Sequence, residues 1–89
     1  MTYRLLLTQK AKDDFAVLEK KTQKRIADKL RFFISTNDPI SYAKKLTNSR
    51  LGTYGFRIGD YRAIFDVDSN GNIRILIILR VKHRKKVYE

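Results

Sequence analysis

The sequence predicts an α+β layer: a strand, a two-helix hairpin, then a three-stranded antiparallel meander, with both helices on one face of the sheet. Three observations predict it. Apolar residues recur at helical period between Gln9 and Ile34. After Pro39 the period changes to alternation. Two turn signals, Gly59-Asp60 and Asp68-Ser69-Asn70-Gly71, then cut the alternating stretch into strands.

Tyr3 to Leu7 is short, apolar and bounded by Thr8, which suits a strand. Thr8 can cap a first helix, from Gln9 to about Lys20, with Ala11, Phe15 and Leu18 on one face. Thr22 can cap a second, from Gln23 to about Ile34, whose stripe is Ile26, Leu30, Phe33 and Ile34. The segment Ser35-Thr36-Asn37-Asp38-Pro39 ends it. Residues 40–53 read as irregular, with at most one helical turn around Tyr42 to Leu46. Tyr54, Phe56 and Ile58 then mark one strand face, Tyr61, Ala63, Phe65 and Val67 the next, and Ile73 to Val81 reads as the central strand.

All of this fits one small domain spanning residues 1–89, since 43% hydrophobic residues supply one modest core. There is no cysteine, hence no disulfide framework and no thiolate site. The apolar run at Leu5 to Leu7 is too short for a signal peptide or a membrane span, so a cytoplasmic protein with no membrane partner is expected. Charge is the strongest compositional signal. Twenty Lys and Arg against nine Asp and Glu give +11, an excess that makes best sense opposite a polyanion such as nucleic acid. The plainer alternative is a generally solvated basic surface.

Alternation sorts the strand residues by face. Tyr54, Phe56, Ile58, Tyr61, Ala63, Phe65, Ile73, Ile75, Ile77 and Leu79 are expected beneath the helices. The opposite face would carry Arg57, Arg62, Ile64, Arg74, Leu76, Ile78 and Arg80, with Asp66 its one acid. Four arginines on one open face suggest a binding surface.

At this point two segments resemble a known family. Tyr54-Gly55-Phe56-Arg57-Ile58-Gly59-Asp60-Tyr61-Arg62-Ala63-Ile64-Phe65 resembles the central hairpin of RelE/ParE toxins, whose pattern is roughly Tyr-Arg-x-Arg-x-Gly-Asp-Tyr-Arg. The tail His83-Arg84-Lys85-Lys86-Val87-Tyr88 is similar to that family's His-Arg-x-x-Val-Tyr ending. With the helix pair, the resemblance covers essentially the whole chain. It implies the microbial-RNase-like fold and an antitoxin partner. In the RelE branch it further implies cleavage of mRNA in the ribosomal A site. The ParE branch instead poisons DNA gyrase, with no known nuclease chemistry.

Cleaving RNA through its own 2′-hydroxyl needs a base, cationic donors on the phosphate and an acid for the leaving oxygen. It requires no metal or other cofactor, and none is expected. Resemblance places Arg62 at the family's phosphate-binding arginine, and a guanidinium gives bidentate donation to phosphate. Its alternative is a cross-strand or antitoxin contact. Arg57 shares its face, with a solvated strand arginine as alternative. His83 is the only histidine, the side-chain type whose ordinary range suits acid or base work near neutrality, although a lone histidine is often a packing residue. Arg84 would add a second cation. Tyr88 would stack on a base, move a proton or anchor the tail. Some relatives carry lysine where this chain has Gly55, which leaves the base open, with His83 as the substitute at hand.

Lys44, Lys45, Arg74, Arg80, Lys82, Lys85 and Lys86 are candidates for steering RNA. Two patterns are set aside. Asp66-Val67-Asp68-Ser69-Asn70-Gly71 mimics the start of a calcium loop, but Ile77 stands where a bidentate Glu is needed. Asp13-Asp14 reads as a solvated helix face, because adjacent helical residues point apart. The expected partners are an acidic antitoxin, in a toxin–antitoxin heterotetramer, and mRNA on the ribosome. A gyrase poison and a non-toxic RNA-binding module are the competing readings.

Overall fold

The computed structural model describes residues 2–47 and 50–87. Strand β1 (Thr2–Leu7) leads into helices α1 (Gln9–Ala16) and α2 (Lys20–Ser35). A 3-10 turn (Pro39–Tyr42) and a short strand β2 (Ala43–Lys45) follow. The meander is β3 (Tyr54–Ile58), β4 (Tyr61–Asn70) and β5 (Ile73–His83), and the four-residue helix α3 (Arg84–Val87) comes last. The sheet order is β1-β5-β4-β3-β2. β1 runs parallel to β5, while every other pairing is antiparallel.

The expected element order is present, with differences that have local causes. Thr8 caps α1 by accepting from the Ala11 N–H at 3.1 Å. α1 stops at Ala16, short of the expected Lys20, because the Gln23 side chain of α2 donates back to the Phe15 carbonyl at 2.9 Å. That bond satisfies an orphan carbonyl at the helix end and folds the chain tightly. α2 consequently begins at Lys20 with Glu19 at its N-cap, and Thr22 lies inside it rather than capping it. Residues 43–45, read as irregular, form β2 by pairing with β3.

The core lies between the sheet and the helices. Ile26, Leu30 and Phe33 of α2 pack on Phe56, Phe65, Leu76 and Ile78. Phe33, Phe56 and Phe65 stack in a column with successive centroids 4.4 Å apart. One face assignment is overturned. Leu76 and Ile78 are in the core at 0% exposure, whereas Ile73, Ile75 and Ile77 lie on the opposite face. Residues 73–79 are apolar at both parities except Arg74, so the strand offers no polar contrast to fix its phase. A bulge supplies the rest: Phe65 pairs with Ile78 but Ile64 pairs with Arg80, leaving Leu79 extra. Past the bulge the phase shifts, and Val81 returns to the core.

β1 ends at Leu7, opposite Ile78, so the outer edge of β5 has no strand beside it from Leu79 onward. α1 takes that place. Thr8 Oγ1 donates to the Leu79 carbonyl at 2.9 Å, and the Val81 N–H donates to Asp14 Oδ2 at 3.0 Å. On the face away from the helices, the loop at residues 50–53 lies over Ile64, which is fully buried. Gly52 permits this approach, since a Cβ there would stand 2.8 Å from Ile64 Cγ2. Among the described residues no helix is long and apolar enough to cross a membrane.

Candidate nucleic-acid interface

The β3–β4 hairpin sets the centre of the site. Its turn works because Gly59 adopts φ +59°, a conformation that costs glycine little. Pairing across the turn places Arg57 opposite Arg62, and β5 places Lys82 opposite Arg62 on its other side. Three cations thus form a row on the face turned from the helices. Like charges directly opposite one another destabilise a sheet. Among the described residues no carboxylate forms an ion pair with Arg57 or Arg62 to relieve that repulsion. Lys44 of β2 joins the same face, opposite Gly55.

Arg57, Arg62 and Lys44 line one pocket of about 270 Å³, together with Tyr42, Leu46 and Gly55. A Cβ at Gly55 would meet Leu46 carbons at 3.5–3.8 Å, ordinary contact. Glycine is therefore not forced by crowding there, and the Leu46 side chain lies beside it. Arg62 Nη1 donates to the Gly59 and Tyr61 carbonyls at 3.2 and 2.9 Å. A guanidinium has five N–H donors, so this bracing of the turn leaves Nε and Nη2 for a ligand.

Other candidate residues are placed elsewhere. Arg80 is held by Asp14, Nε to Oδ2 at 2.8 Å and Nη2 to Oδ1 at 3.0 Å. Burial alone would raise the Asp14 carboxyl. The bonds from Arg80 and the Val81 N–H, with the charges of Arg80 and Lys82, outweigh it and hold the group below the ordinary carboxylate range. The same bond raises Arg80 above its ordinary value. Asp14 is therefore a structural anchor and not part of a solvated face. Its spacing carried the signal, three residues after the buried Ala11 and so on that residue's side of the helix. Arg74 lies opposite Ser69, in phase with Leu76 and eight residues from Lys82, about 26 Å along the strand. Lys45 pairs with Tyr54, in phase with the core face. Lys85 and Lys86 are exposed on α3.

His83 pairs with Tyr61, and their rings meet edge to face at 5.4 Å. Its Nδ1 accepts from the Lys85 N–H at 3.3 Å. Strand alternation puts His83 in phase with Val81, across the sheet from Arg62 and Lys82. Arg84 returns to the hairpin turn: its N–H donates to the Asp60 carbonyl at 2.7 Å, and its Nε stands 3.7 Å from Asp60 Oδ1. Tyr88 lies outside the described residues. A further cation, from α2, stands at the turn. The Arg25 guanidinium of α2 would stand 3.0 Å from a Cβ at Gly59. The calcium-loop mimic is strand, with Asp66 Oδ1 accepting from the Thr53 N–H at 2.8 Å.

The family model of the ParE toxin of the type II toxin-antitoxin system parDE matches residues 5–88. The chain belongs to this family. It is the toxin component of such a system, within the RelE/ParE superfamily. No protein of curated function matches the toxin by sequence. Among solved structures, a chain of the RelBE2 toxin–antitoxin complex of Mycobacterium tuberculosis is 26% identical, with a TM-score of 0.63, covering 94% of the toxin and all of that chain. A chain of the RelE–RelB complex of Pyrococcus horikoshii shares the fold at 22% identity and TM-score 0.68, covering 97% of the toxin and 99% of that chain. One from the RelB–RelE complex of Methanococcus jannaschii is 25% identical, with TM-score 0.58, covering 93% and 94%.

Proposed function

We propose that the toxin is a ribosome-dependent endoribonuclease that cleaves mRNA in the A site, acts in the cytoplasm and halts translation. One observation carries this reading: Arg57, Arg62 and Lys44 converge on a single pocket on the face the helices leave uncovered. Two guanidiniums and an ammonium suit a phosphate whose charge grows as the 2′-oxygen attacks. The chemistry asks for no metal. Lys82 extends the cationic row, while Arg84, Lys85 and Lys86 add charge beside the turn. His83 and Tyr88 are the proposed proton carriers, and His83 would have to leave its pairing with Tyr61 to reach the arginines. The experiment is primer extension on mRNA translated by purified ribosomes with the toxin added. New A-site stops are expected, and their absence overturns the reading.

Two observations favour a second reading, a poison of DNA gyrase. The matching family model is that of ParE toxins, and His83 stands across the sheet from the arginines. Loss of gyrase supercoiling on addition of the toxin, with intact mRNA, would establish it. Under either reading the proposed partner is an acidic antitoxin, in a heterotetramer. Leu6 is 56% exposed and pairs with Ile77 on the arginine-bearing face, giving an amphipathic segment apolar ground beside cationic ground.

A further inference from the structure

One wall of the pocket owes nothing to the arginine motif. Tyr42 ends the 3-10 turn and is one of the residues lining the pocket, with Lys44, Arg57 and Arg62. It is 50% exposed. The covered half rests on other rings: Phe33 at 5.4 Å, tilted 34°, and the edge of Phe32 at 5.8 Å. Phe33 itself stacks on Phe56 at 4.4 Å. Tyr42 is thus the solvent end of an aromatic column rooted in the core. Its orientation is set from within, so a ligand need not pay to order it.

We propose that Tyr42 is a base-stacking platform. An unpaired nucleobase lies against its ring while a neighbouring phosphate is held by Arg57 and Arg62. The proposal rests on the reading of this pocket as an RNA site and adds what the arginines lack. Cations bind any polyanion alike. A ring adds stacking that a base offers and a bare sugar-phosphate chain does not, the ordinary way proteins hold unpaired RNA. Tyr42 therefore separates a base-bearing single strand from a bare phosphodiester chain of equal charge.

The test uses the full chain at low salt and two labelled oligomers of about twelve nucleotides with equal charge: oligoadenylate and an abasic ribose-phosphate chain. Fluorescence anisotropy should show the wild type binding oligoadenylate on the order of 10-fold more tightly. Tyr42→Ala should erase that preference and leave abasic affinity unchanged. Tyr42→Phe should keep it. Arg57→Ala should weaken both oligomers by one common factor. If Tyr42→Ala shifts both equally, or neither, stacking is overturned while the RNA site stands. If the wild type binds neither oligomer, the RNA reading itself fails and stacking falls with it. A second arm is independent of any loss of folding in Tyr42→Ala. The chain has no tryptophan, so Tyr42→Trp carries a single indole. Oligoadenylate should quench its fluorescence and the abasic chain should not; an unquenched indole with oligoadenylate bound overturns the proposal.

Discussion

Asp14→Ala tests whether α1 completes the free edge of β5. The substitution removes two bonds from Arg80, at 2.8 and 3.0 Å, and one from the Val81 N–H at 3.0 Å. Both side chains are largely shielded, Asp14 at 17% exposure and Arg80 at 25%. Breaking a fully buried pair costs about 3–5 kcal/mol, chiefly through the charge left unpaired. Arg80 can recover water through its exposed quarter, so screening reduces the loss to about 2 kcal/mol. In a domain of this size that lowers Tm by roughly 8–16 °C. Urea unfolding followed by circular dichroism at neutral pH measures it. The pH course gives a second reading. The Asp14 carboxyl is depressed in the folded chain. Its contribution is therefore complete above the unfolded value, about pH 4, and disappears as pH falls through the folded value. The gap between wild type and variant should close in acid. A loss below about 0.5 kcal/mol, the scale of an exposed pair, refutes the edge-completing role. So does a gap that persists in strong acid.

Other perturbations separate the site from the scaffold. Arg62→Ala should slow single-turnover cleavage on programmed ribosomes on the order of 100-fold, about 3 kcal/mol, because it withdraws a cation from the developing phosphorane. His83→Gln should flatten the pH dependence of that rate near neutrality and leave ribosome binding nearly unchanged; wild-type rates in both His83→Gln and Tyr88→Phe would make the tail structural. Gly59→Ala should cost about 1 kcal/mol in thermal melts, since alanine is strained at φ +59° and its Cβ would press on Arg25 at 3.0 Å. Binding of the acidic antitoxin, followed by calorimetry, should weaken as salt rises yet keep a residual affinity from apolar burial; affinity indifferent to salt would count against the charged face as the contact.

The sequence displayed those features that local chemistry decides. Thr8 is a cap in both readings, Gly59 is a turn, and the stripe Ile26, Leu30 and Phe33 faces the core. Arg57 and Arg62 were legible as neighbours because a short turn leaves one register for the hairpin. The phase of β5 was not, for apolar residues at both parities and one extra residue at Leu79 defeat any count of alternation. Arg74 was assigned to the arginine face through that count, whereas Arg80, opposite Ile64, does share that face although Asp14 holds its guanidinium. The Asp14–Arg80 pair spans 66 positions and depends on where β1 stops, which no local window contains. Tyr42 was hidden for a similar reason: its place at the pocket comes from Phe33 and from the pairing of a three-residue strand.

The aromatic column joins two properties that evolution usually varies separately. Phe65, Phe56 and Phe33 hold the fold together, and the same stack supports the Tyr42 ring, on a residue that lines the pocket with Arg57. Close-packed interiors transmit displacement and do not absorb it. A change of ring volume at Phe56 is felt at the rim of the pocket as well as in the core. Drift in the interior of this toxin is thus also drift in the shape it offers a ligand, and a lineage can retune its preference without any substitution on its surface.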